Sequence, residues 1–443
     1  MTTQVKVKRP PAPRRSHNTL TAITIEGFKS INTECRLELG GLNILAGANS
    51  AGKSSFLQPL LLLKQTLEAA YDPGPLLIDG PNVKFTELGQ IFSKAKGAKK
   101  QLSIGLYAGD GRALKLSFER GAKKQLQIKE NIHTDRNGKS QILTEKLTDE
   151  EVRQIVKASG FPANSLFSQA KASIASDRAF LRLKFSHEDR AYMFPVGIVE
   201  GFGEDVGRNI IHVPGLRGNP ERSYKKTAVG GSFPGTLDTY VASIVAHWQE
   251  NDHEKLETLG KQLQQLGLTW KVVSNRIDDT RVELQVGRLP AAAQGGARDL
   301  VSIADVGFGV SQVLPVLVAL LVAKPGQMVY IEQPETHLHP KAQRALAGIF
   351  ADAVKRNSVV IVETHSLLFV RAIQTLVARG EVKKDVVKLH WVERDVVGQT
   401  QVTTRNLDTS GAYGDWPQDF EATEMQGEQD FIEATEAVLL NHG

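Results

Sequence analysis

Several features that are common in other classes of protein are scarce in this chain. Its 443 residues include a single cysteine, Cys35, so no disulfide can form within the chain. The longest apolar run, "VLPVLVALLVA" at 313–323, is too short to cross a bilayer and is typical of a buried helix. The first residues lack the apolar segment of a secretory signal. We therefore expect a protein of the reducing cytoplasm with no membrane partner.

Neither positive nor negative charge dominates the composition. The 54 lysines and arginines exceed the 49 acidic residues by a formal charge of only +5, which argues against a large nucleic-acid footprint. A large share of the excess lies in "MTTQVKVKRPPAPRR", which is rich in proline and poor in core-forming residues. We expect residues 1–18 to form a disordered basic leader, with contact to nucleic acid or an acidic partner as the alternative.

The remaining sequence has patterns that predict regular structure. There is no internal repeat, and the helical spacing over 236–268 lacks the sustained heptads of a coiled-coil arm. A β-meander is expected over 100–130, a polar and mostly helical insert over about 145–205, and a hairpin over 270–288. From residue 300 onward strands and helices alternate: a helix from 311, a strand at 327–332, a helix from 340, a strand at 358–363, a helix from 366 and a strand near 386–393.

The stretch "GANSAGKS", Gly47 to Ser54, fits the pattern G-x-x-x-x-G-K-[ST] in full. Glycines allow the turns that aim backbone N–H groups at phosphate oxygens. Lys53 supplies a cation near the β- and γ-phosphates, and Ser54 offers a hydroxyl to Mg²⁺. An apolar strand, "LNILA", precedes the loop and an apolar helix follows it, with the helix N-terminus directed at the same anions. This setting predicts a nucleotide-binding loop.

A phosphate-binding loop needs a carboxylate for its metal ion. We expect that carboxylate at the end of a buried strand lying beside the strand of the loop. "QMVYIEQPE" supplies such a strand end, and Glu332 is the expected ligand of Mg²⁺, directly or through water. The next position commonly holds the base that orients the attacking water, but here it is Gln333. Hydrolysis is therefore expected to be slow, to use Glu335, or to need a group from a partner.

Two histidines in the same segment, "PETHLHP", allow another interpretation. His337 and His339 are spaced by two, which places both on one face of an extended segment. A zinc site would need further ligands, and the lone cysteine is far away in the sequence. We favour histidines that pack a turn beside the pocket.

A third strand, "SVVIVETHSL", ends in Glu363, Thr364, His365 and Ser366. A histidine at the end of a strand that neighbours two phosphate-binding strand ends can reach a γ-phosphate. We therefore predict that His365 senses the γ-phosphate, with a buried structural histidine as the alternative.

In this order, these elements resemble the ABC/SMC-type ATPase heads, and in particular their OLD-like and RecF-like bacterial subgroup. "ITIEGFKSI" resembles the opening strand of that subgroup, "GANSAGKSS" its Walker A motif, "YIEQPETHLHP" its Walker B motif and D-loop, and "IVETHS" its switch-histidine segment. The resemblance implies an α/β fold: an ABC-type P-loop head with a mixed central sheet, helices, an antiparallel β-subdomain and an inserted lobe. The implied boundaries are 1–18 for the leader, 19–135 for the N-terminal part of the head, 136–205 for the inserted lobe, 206–425 for the C-terminal part of the head, and 426–443 for a C-terminal helix or tail.

The resemblance also implies the ligands ATP and Mg²⁺ and a partner that is a second copy of the chain. In such heads two protomers stack head to tail, and the signature helix of one caps the γ-phosphate held by the other. "ADVGFGVSQVLPVLVALL" resembles the signature, although the usual Leu-Ser-Gly-Gly is absent. A Q-loop glutamine is expected at Gln90 or Gln65. The nucleotide-contacting residues implied in this way are Gly47, Asn49, Ser50, Ala51, Gly52, Lys53, Ser54, Ser55 and Gln90 from one protomer and Gly307, Gly309, Ser311 and Gln312 from the other.

A stand-alone head of this subgroup is similar to the ATPase subunits of bacterial anti-phage defence operons, and most similar to that of the PARIS system. This resemblance implies an oligomeric ATPase that sequesters a separate effector, a TOPRIM-type nuclease, and releases it on sensing a phage protein. A RecF-type DNA-repair ATPase and the nucleotide-binding subunit of an ABC transporter are the alternatives. Arg217 and Arg222, in "PGLRGNPERSY", are expected to touch phosphate or a partner, or to lie in a solvated loop.

Overall fold

A computed structural model describes residues 19–122, 125–158, 170–187, 190–195, 198–289 and 299–414. The expected basic leader at 1–18 and the expected C-terminal helix or tail at 426–443 lie outside these residues. The strands are β1 (Leu20–Glu26), β2 (Cys35–Glu38), β3 (Leu42–Ala46), β4 (Gln101–Ala108), β5 (Ala113–Arg120), β6 (Leu126–Thr134), β7 (Ser140–Leu143), β8 (Lys171–Asp177), β9 (Phe180–His187), β10 (Arg190–Phe194), β11 (Ile211–Val213), β12 (Tyr224–Lys225), β13 (Val272–Arg276), β14 (Arg281–Gly287), β15 (Leu300–Ser302), β16 (Met328–Glu332), β17 (Val359–Glu363), β18 (Val387–Arg394) and β19 (Thr400–Asn406). The α-helices are α1 (Lys53–Glu68), α2 (Asp149–Ala158), α3 (Ile198–Arg208), α4 (Val241–Asn251), α5 (His253–Gln265), α6 (Phe308–Val322), α7 (Pro340–Lys355) and α8 (Leu367–Ala378).

The central sheet has the strand order β11-β16-β17-β3-β18-β19. Its first five strands are parallel, and β19 returns antiparallel to β18. β3 and β17 are buried along their whole length, as expected for parallel strands covered by helices on both faces. The carboxyl ends of β3, β16 and β17 therefore meet at one edge, where a ligand of an open α/β sheet is expected to bind.

A second sheet, β2-β1-β4-β5-β6-β7, is antiparallel throughout. It forms the predicted β-subdomain and includes the predicted meander. The sheet continues through β7 to Leu143, beyond the boundary expected at residue 135, because β7 pairs with β6. Strands β12 to β15 form a further antiparallel sheet that contains the predicted hairpin.

The inserted lobe corrects one expectation. It was predicted to be mostly helical, but its described residues include the antiparallel sheet β10-β9-β8 as well as α2 and α3. The lobe also shares a core with the N-terminal part of the head, since Phe180, Phe185 and Phe202 belong to the same buried cluster as α1. Arg178 ties the lobe to the end of α1 by donating to the carbonyl oxygens of Leu67 and Ala69.

The C-terminal half of the head follows the predicted alternation of strands and helices closely. α6, β16, α7, β17, α8 and β18 each begin within a few residues of the expected position. α6 contains the apolar run and is buried along most of its length, as predicted. Among the described residues, no helix combines the length and apolar character that a membrane crossing requires. The architecture confirms the predicted fold class, a mixed α/β P-loop head.

Candidate functional site

The loop from Gly47 to Ser54 connects β3 to α1, as predicted. Gly47 has φ 145° and Gly52 has φ 107°, backbone conformations that residues with a side chain rarely adopt. A Cβ at Gly47 would overlap the carbonyl oxygen of Val392 on β18. Gly52 caps α1 without a side-chain hydrogen bond to the first turn. The first-turn amides of α1 are therefore not satisfied by a capping side chain, which suits a loop that binds anions.

Lys53 lies within this loop and is buried. Its Nζ donates to the carbonyl oxygens of Gly47 and Ala48, both at 2.9 Å. Burial lowers the pKa of Lys53, while the charges of Glu363 and Glu335 act in the opposite direction. Neutral carbonyls are weaker partners for an ammonium than phosphate is. The lysine is thus positioned to exchange these contacts for the oxygens of a phosphate.

A cavity of about 840 Å³ opens in front of the loop, a size that matches small-molecule sites. Of the predicted nucleotide contacts, Asn49, Ser50, Gly52, Lys53, Ser54, Ser55 and Gln90 line this cavity, as do Gln333 and His365. Ala51, within the loop, is buried and does not line the cavity. The sequence did not single out several other lining residues, among them those from the loop after β1 and from the β18–β19 hairpin: Lys29, Ser30, Arg394, Val397, Gly398 and Gln399.

The two Q-loop candidates differ in the structure. The side chain of Gln65 is buried and engaged by backbone, since its Nε2 donates to the carbonyls of Leu77 and Val83. Gln90 lies on the cavity wall and exchanges hydrogen bonds with Thr86. Gln90 is therefore the one placed to meet a ligand.

The position of Glu332 corrects a second expectation. β16 does not lie beside β3, because β17 is inserted between them. Glu332 Oε1 is 3.1 Å from His212 Nε2, and Oε2 accepts from the backbone N–H of Gly215 at 3.1 Å. Burial opposes the ionisation of Glu332, yet these hydrogen bonds hold its pKa below the usual range. Both oxygens of the Glu332 carboxylate are thus engaged in hydrogen bonds within the chain. Glu332 is not among the described residues that line the cavity.

Glu363 at the end of β17 is the site residue that sequence reasoning missed. Ser54 Oγ donates to its Oε2 at 2.9 Å, and the hydroxyl of Tyr330 donates to its Oε1 at 2.5 Å. Burial, together with the charge of Glu332 on the adjacent strand, raises the pKa of Glu363 to about 7. An acidic residue that ends a buried strand was the available signal. It was assigned to Glu332 alone because that residue lies in the motif that usually carries the metal ligand.

His212 on β11 is a second missed residue, and its proton position follows from its neighbours. Asn82 Nδ2 lies 3.0 Å from the carbonyl oxygen of Gly235, so this atom is the amide donor, and it is also 3.1 Å from His212 Nδ1. Nδ1 therefore accepts, and Nε2 carries the proton that is donated to Glu332. The imidazole stacks on Tyr330 with ring centroids 5.3 Å apart. This arrangement fixes the orientation of the Glu332 carboxylate.

The residues proposed for catalysis have distinct surroundings. Gln333 has φ 44° and lines the cavity, with its backbone N–H donating to the carbonyl of Glu363. Glu335 is buried; its Oε1 accepts from the backbone N–H of His365 at 2.7 Å. Its Oε2 is buried with no hydrogen-bond partner among the described residues. Burial, and next the charge of Lys53, lower the pKa of His365, which favours the neutral imidazole at the cavity wall.

The signature-like segment lies at the start of α6, and none of its residues lines the cavity. Gly307 caps the helix without a side-chain hydrogen bond, and Ser311 Oγ donates to the carbonyl of Phe308. Gln312 corrects a third expectation. It is buried, and its Nε2 donates to the carbonyls of Arg217 and Gly218 at 3.3 Å, so in this structure it is not presented to a second protomer.

Arg217 and Arg222 lie close together in the sequence, but they make different contacts in the structure. Arg217 is buried and donates to the carbonyl oxygens of Gln312, Glu332 and Gln333. Burial lowers the pKa of its guanidinium to about 10, against the opposing charges of Glu335 and Glu332. Arg222 is exposed and forms a two-pronged ion pair with Asp305 just before α6. Neither guanidinium faces the cavity.

The two histidines of "PETHLHP" have structural contacts. His337 packs on the ring of Phe308, and His339 caps α7 by accepting from the backbone N–H of Lys341. Within the described ranges, no group of three or more histidine, cysteine or acidic side chains is arranged to hold a metal ion. These contacts fit the interpretation as residues that pack a turn.

Comparisons with known proteins returned one family match and several similar structures. Residues 207–371 match the family AAA_21, described as "AAA domain, putative AbiEii toxin, Type IV TA system". A search of curated proteins returned no match.

Three SMC head structures align with the chain. One, bound to the C-terminal winged-helix domain of ScpA, has 13% identity, covers 88% of this chain and 99% of its own, and has a TM-score of 0.48. The head from Thermotoga maritima has 10% identity, coverages of 87% and 98%, and a TM-score of 0.39. The head from Pyrococcus furiosus, with an extended coiled coil and the C-terminal domain of ScpA, has 11% identity, coverages of 88% and 96%, and a TM-score of 0.45.

The matched segment runs from the end of α3 through Glu332 and His365 into α8. It thus contains the strands that end in Glu332 and Glu363, the signature-like helix α6 and the switch-histidine segment. The P-loop lies before it. The family match is therefore limited to the C-terminal part of the head.

Proposed function

We propose that the chain binds ATP with Mg²⁺ and hydrolyses it slowly, and that nucleotide state controls how copies of the chain assemble. The observation that carries this proposal is the cavity in front of the P-loop. Lys53, Ser54, Glu363 and His365 all line it, so a cation, a hydroxyl, a carboxylate and an imidazole converge on one space. This set fits a triphosphate with a divalent ion. ATP would supply the phosphoanhydride, and the ion would neutralise charge on its oxygens.

The assembly we propose is a head-to-tail pair. Gly307, Gly309 and Ser311 at the start of α6 would approach the γ-phosphate in the cavity of a second copy. The exposed position of Gly307 and the absence of a capping side chain at this helix support that role. Gln312 would act indirectly, through its hydrogen bonds to the loop that carries Arg217.

At the level of biology, we propose a scaffold and sensor subunit of a bacterial anti-phage defence system. The oligomer would sequester a toxic effector, a TOPRIM-type nuclease, and release it when a phage protein binds. The sequence resemblance to such ATPase subunits supports this role. So does the match to a family whose description names a toxin and a toxin–antitoxin system. Switching by nucleotide is physically suitable, because a phosphate that bridges two surfaces makes their association depend on ligand.

The first experiment measures binding and turnover. The purified chain is titrated with ATP in the presence of Mg²⁺, and phosphate release is followed at saturation. We expect binding and slow turnover in the wild type, and in Lys53→Ala an affinity for ATP about 100-fold lower and no detectable turnover. Lys355→Ala, which removes an exposed lysine on α7, is the matched control and should behave as the wild type. Normal ATP affinity in Lys53→Ala would contradict the assignment of the cavity.

The second experiment addresses partners. The tagged chain is recovered from its native host, and the proteins bound to it are identified by mass spectrometry before and after phage infection. We expect a nuclease-like protein that dissociates after infection, and retention of that protein by Lys53→Ala. If duplex DNA instead stimulates turnover with a steep dependence on salt, the alternative role in DNA repair is favoured.

A further inference from the structure

We propose that Glu363, rather than Glu332, is the carboxylate that contacts the magnesium ion of the bound nucleotide. This inference rests on the proposed function, since it concerns the metal ion that accompanies ATP in the cavity. It assigns the metal contact to β17, the strand that carries the switch histidine, and leaves the Walker-B-like strand β16 a supporting role.

The first observation is the partner of Ser54. In a P-loop of this pattern the serine hydroxyl is a ligand of the metal ion. Here Ser54 Oγ is 2.9 Å from Glu363 Oε2. Two groups at hydrogen-bond distance on the wall of a cavity are close enough to share one ion, directly or through its water, once the serine hydroxyl turns its proton away from the carboxylate and offers a lone pair to the ion. Mg²⁺ is typically held by one or two carboxylates together with phosphate oxygens.

The second observation is the engagement of Glu332. Its two oxygens already accept from His212 Nε2 and from the Gly215 amide. It ends a strand that is separated from β3 by β17, and it is absent from the described residues that line the cavity. To reach the metal ion it would have to give up hydrogen bonds that the Asn82–His212 contact orients.

The third observation is the way Glu363 is held. Tyr330 donates to Oε1, which leaves Oε2 directed at Ser54. The β17 strand pairs directly with β3, in register through Glu363 and Leu45, so the carboxylate stands next to the start of the P-loop. Glu363 and Glu332 are also paired residues on adjacent strands. Two carboxylates in a buried setting repel each other, and a divalent cation beside one of them relieves that repulsion.

The experiment compares the affinity for ATP with and without Mg²⁺ in Glu363→Gln and Glu332→Gln. Dissociation constants are measured by calorimetry in Mg²⁺ and in EDTA, and the constant in EDTA divided by the constant in Mg²⁺ is the ratio that reports the metal contact. We expect Glu363→Gln to reduce this ratio by about tenfold or more while the affinity in EDTA stays within about threefold of the wild type. Glu332→Gln should keep most of the ratio.

Electron paramagnetic resonance of Mn²⁺ bound with ATP gives a second readout that does not depend on turnover. The spectrum should change in Glu363→Gln and remain close to wild type in Glu332→Gln. Thermal unfolding of each variant without nucleotide tests folding. If Glu363→Gln does not fold, Glu363→Asp, which shortens the reach of the carboxylate, replaces it with the same expectation.

The possible outcomes separate the inference from the function on which it rests. A wild type that binds no ATP in either buffer would contradict the proposed function itself. Wild-type binding with an unchanged ratio in Glu363→Gln, or an equal loss in both variants, would overturn the assignment to Glu363 alone.

Discussion

Two helices of this protein begin in the same way and face different surroundings. α1 and α6 both follow a glycine, Gly52 and Gly307, and in neither does a side chain cap the first turn. At α1 the glycine has φ 107°, and a Cβ would overlap Thr400. At α6 the glycine has φ −61°, and a Cβ would meet no atom of the described chain within 4 Å.

The difference distinguishes a glycine that the backbone of the chain requires, at 52, from a glycine that would make room for a partner, at 307. Glycine at position 52 is needed for the loop to take its shape within the chain. Nothing within the described chain requires glycine at 307, which leaves room for another molecule to approach the helix start. The α1 start also has a lysine for a phosphate and a carboxylate for a metal ion within the same cavity, and we interpret it as a complete site for a phosphate with its cation. The α6 start offers a helix N-terminus, Ser311 and the exposed ring of Phe308, and we interpret it as half of a site.

The largest expected effect is on stability, and it compares Gly47, a P-loop glycine with positive φ, with Gly307. Gly47→Ala forces a residue with a side chain into φ 145° and against the Val392 carbonyl, and we expect it to lower the free energy of unfolding by about 3 kcal/mol or more. Gly307→Ala should cost less than about 1 kcal/mol. Chemical denaturation of both variants measures the difference. Equal losses would contradict the distinction between the two loops.

The next effect concerns ligand affinity within one protomer. Lys53→Ala removes the charge-assisted contact to phosphate, and we expect the affinity for ATP to fall by about 100-fold. Calorimetric titration in Mg²⁺ gives the dissociation constant. Gly307→Ala should leave that constant within about twofold of the wild type when the protein is dilute enough to be monomeric, because its site lies outside the cavity. A large loss in Gly307→Ala would mean that the α6 start belongs to the binding site of its own chain.

A smaller effect is expected on association. Ser311→Glu places a negative charge where a partner's γ-phosphate is proposed to lie, so ATP-dependent dimerisation should weaken by about tenfold. Sedimentation velocity at several protein concentrations, with and without ATP, measures it. Ser311→Ala, which removes the hydroxyl without adding a charge, is the neutral comparison and should weaken dimerisation less than Ser311→Glu does. Unchanged dimerisation of Ser311→Glu would remove α6 from the interface.

The smallest effect is expected at Arg222. Its ion pair with Asp305 lies just before α6 but is solvent-exposed on both sides, and such pairs contribute little to stability. We expect thermal unfolding of Arg222→Ala to match the wild type at both low and high salt. A marked loss of stability would show that this surface charge supports the entry to α6.

Much of the fold could be predicted because its signals are local. The strand–loop–helix around Gly47 and the alternating elements after residue 300 each depend on short patterns of apolar residues and turn formers. The strands β8, β9 and β10 were missed in an insert that was predicted to be mostly helical, and β8 shows why. "KASIASD" has no clean alternation, and most of its residues are only half-buried.

The site was harder to predict where it depends on residues far apart in the chain. Ser54 and Glu363 are separated by 309 positions, and only the insertion of β17 between β3 and β16 brings them together. Strand order in a parallel sheet is not encoded in a local pattern. His212 was missed for the same reason, because a lone histidine on a short strand gives no indication of the carboxylate it will meet. Gln312 was expected at the surface by analogy with the signature motif, whereas it belongs to the buried face of α6.

The buried guanidinium of Arg217 joins two parts of the molecule that would touch different nucleotides. Its Nη2 holds the main chain at Glu332 and Gln333, beside the cavity in front of the P-loop, and its Nη1 holds the main chain of α6 at Gln312. Because a guanidinium is planar and rigid, movement of the end of β16 is expected to displace the start of α6 as well. In an assembled pair, each subunit would thereby sense whether its neighbour's γ-phosphate is intact while adjusting the geometry of its own, and loss of one phosphate would loosen both halves together.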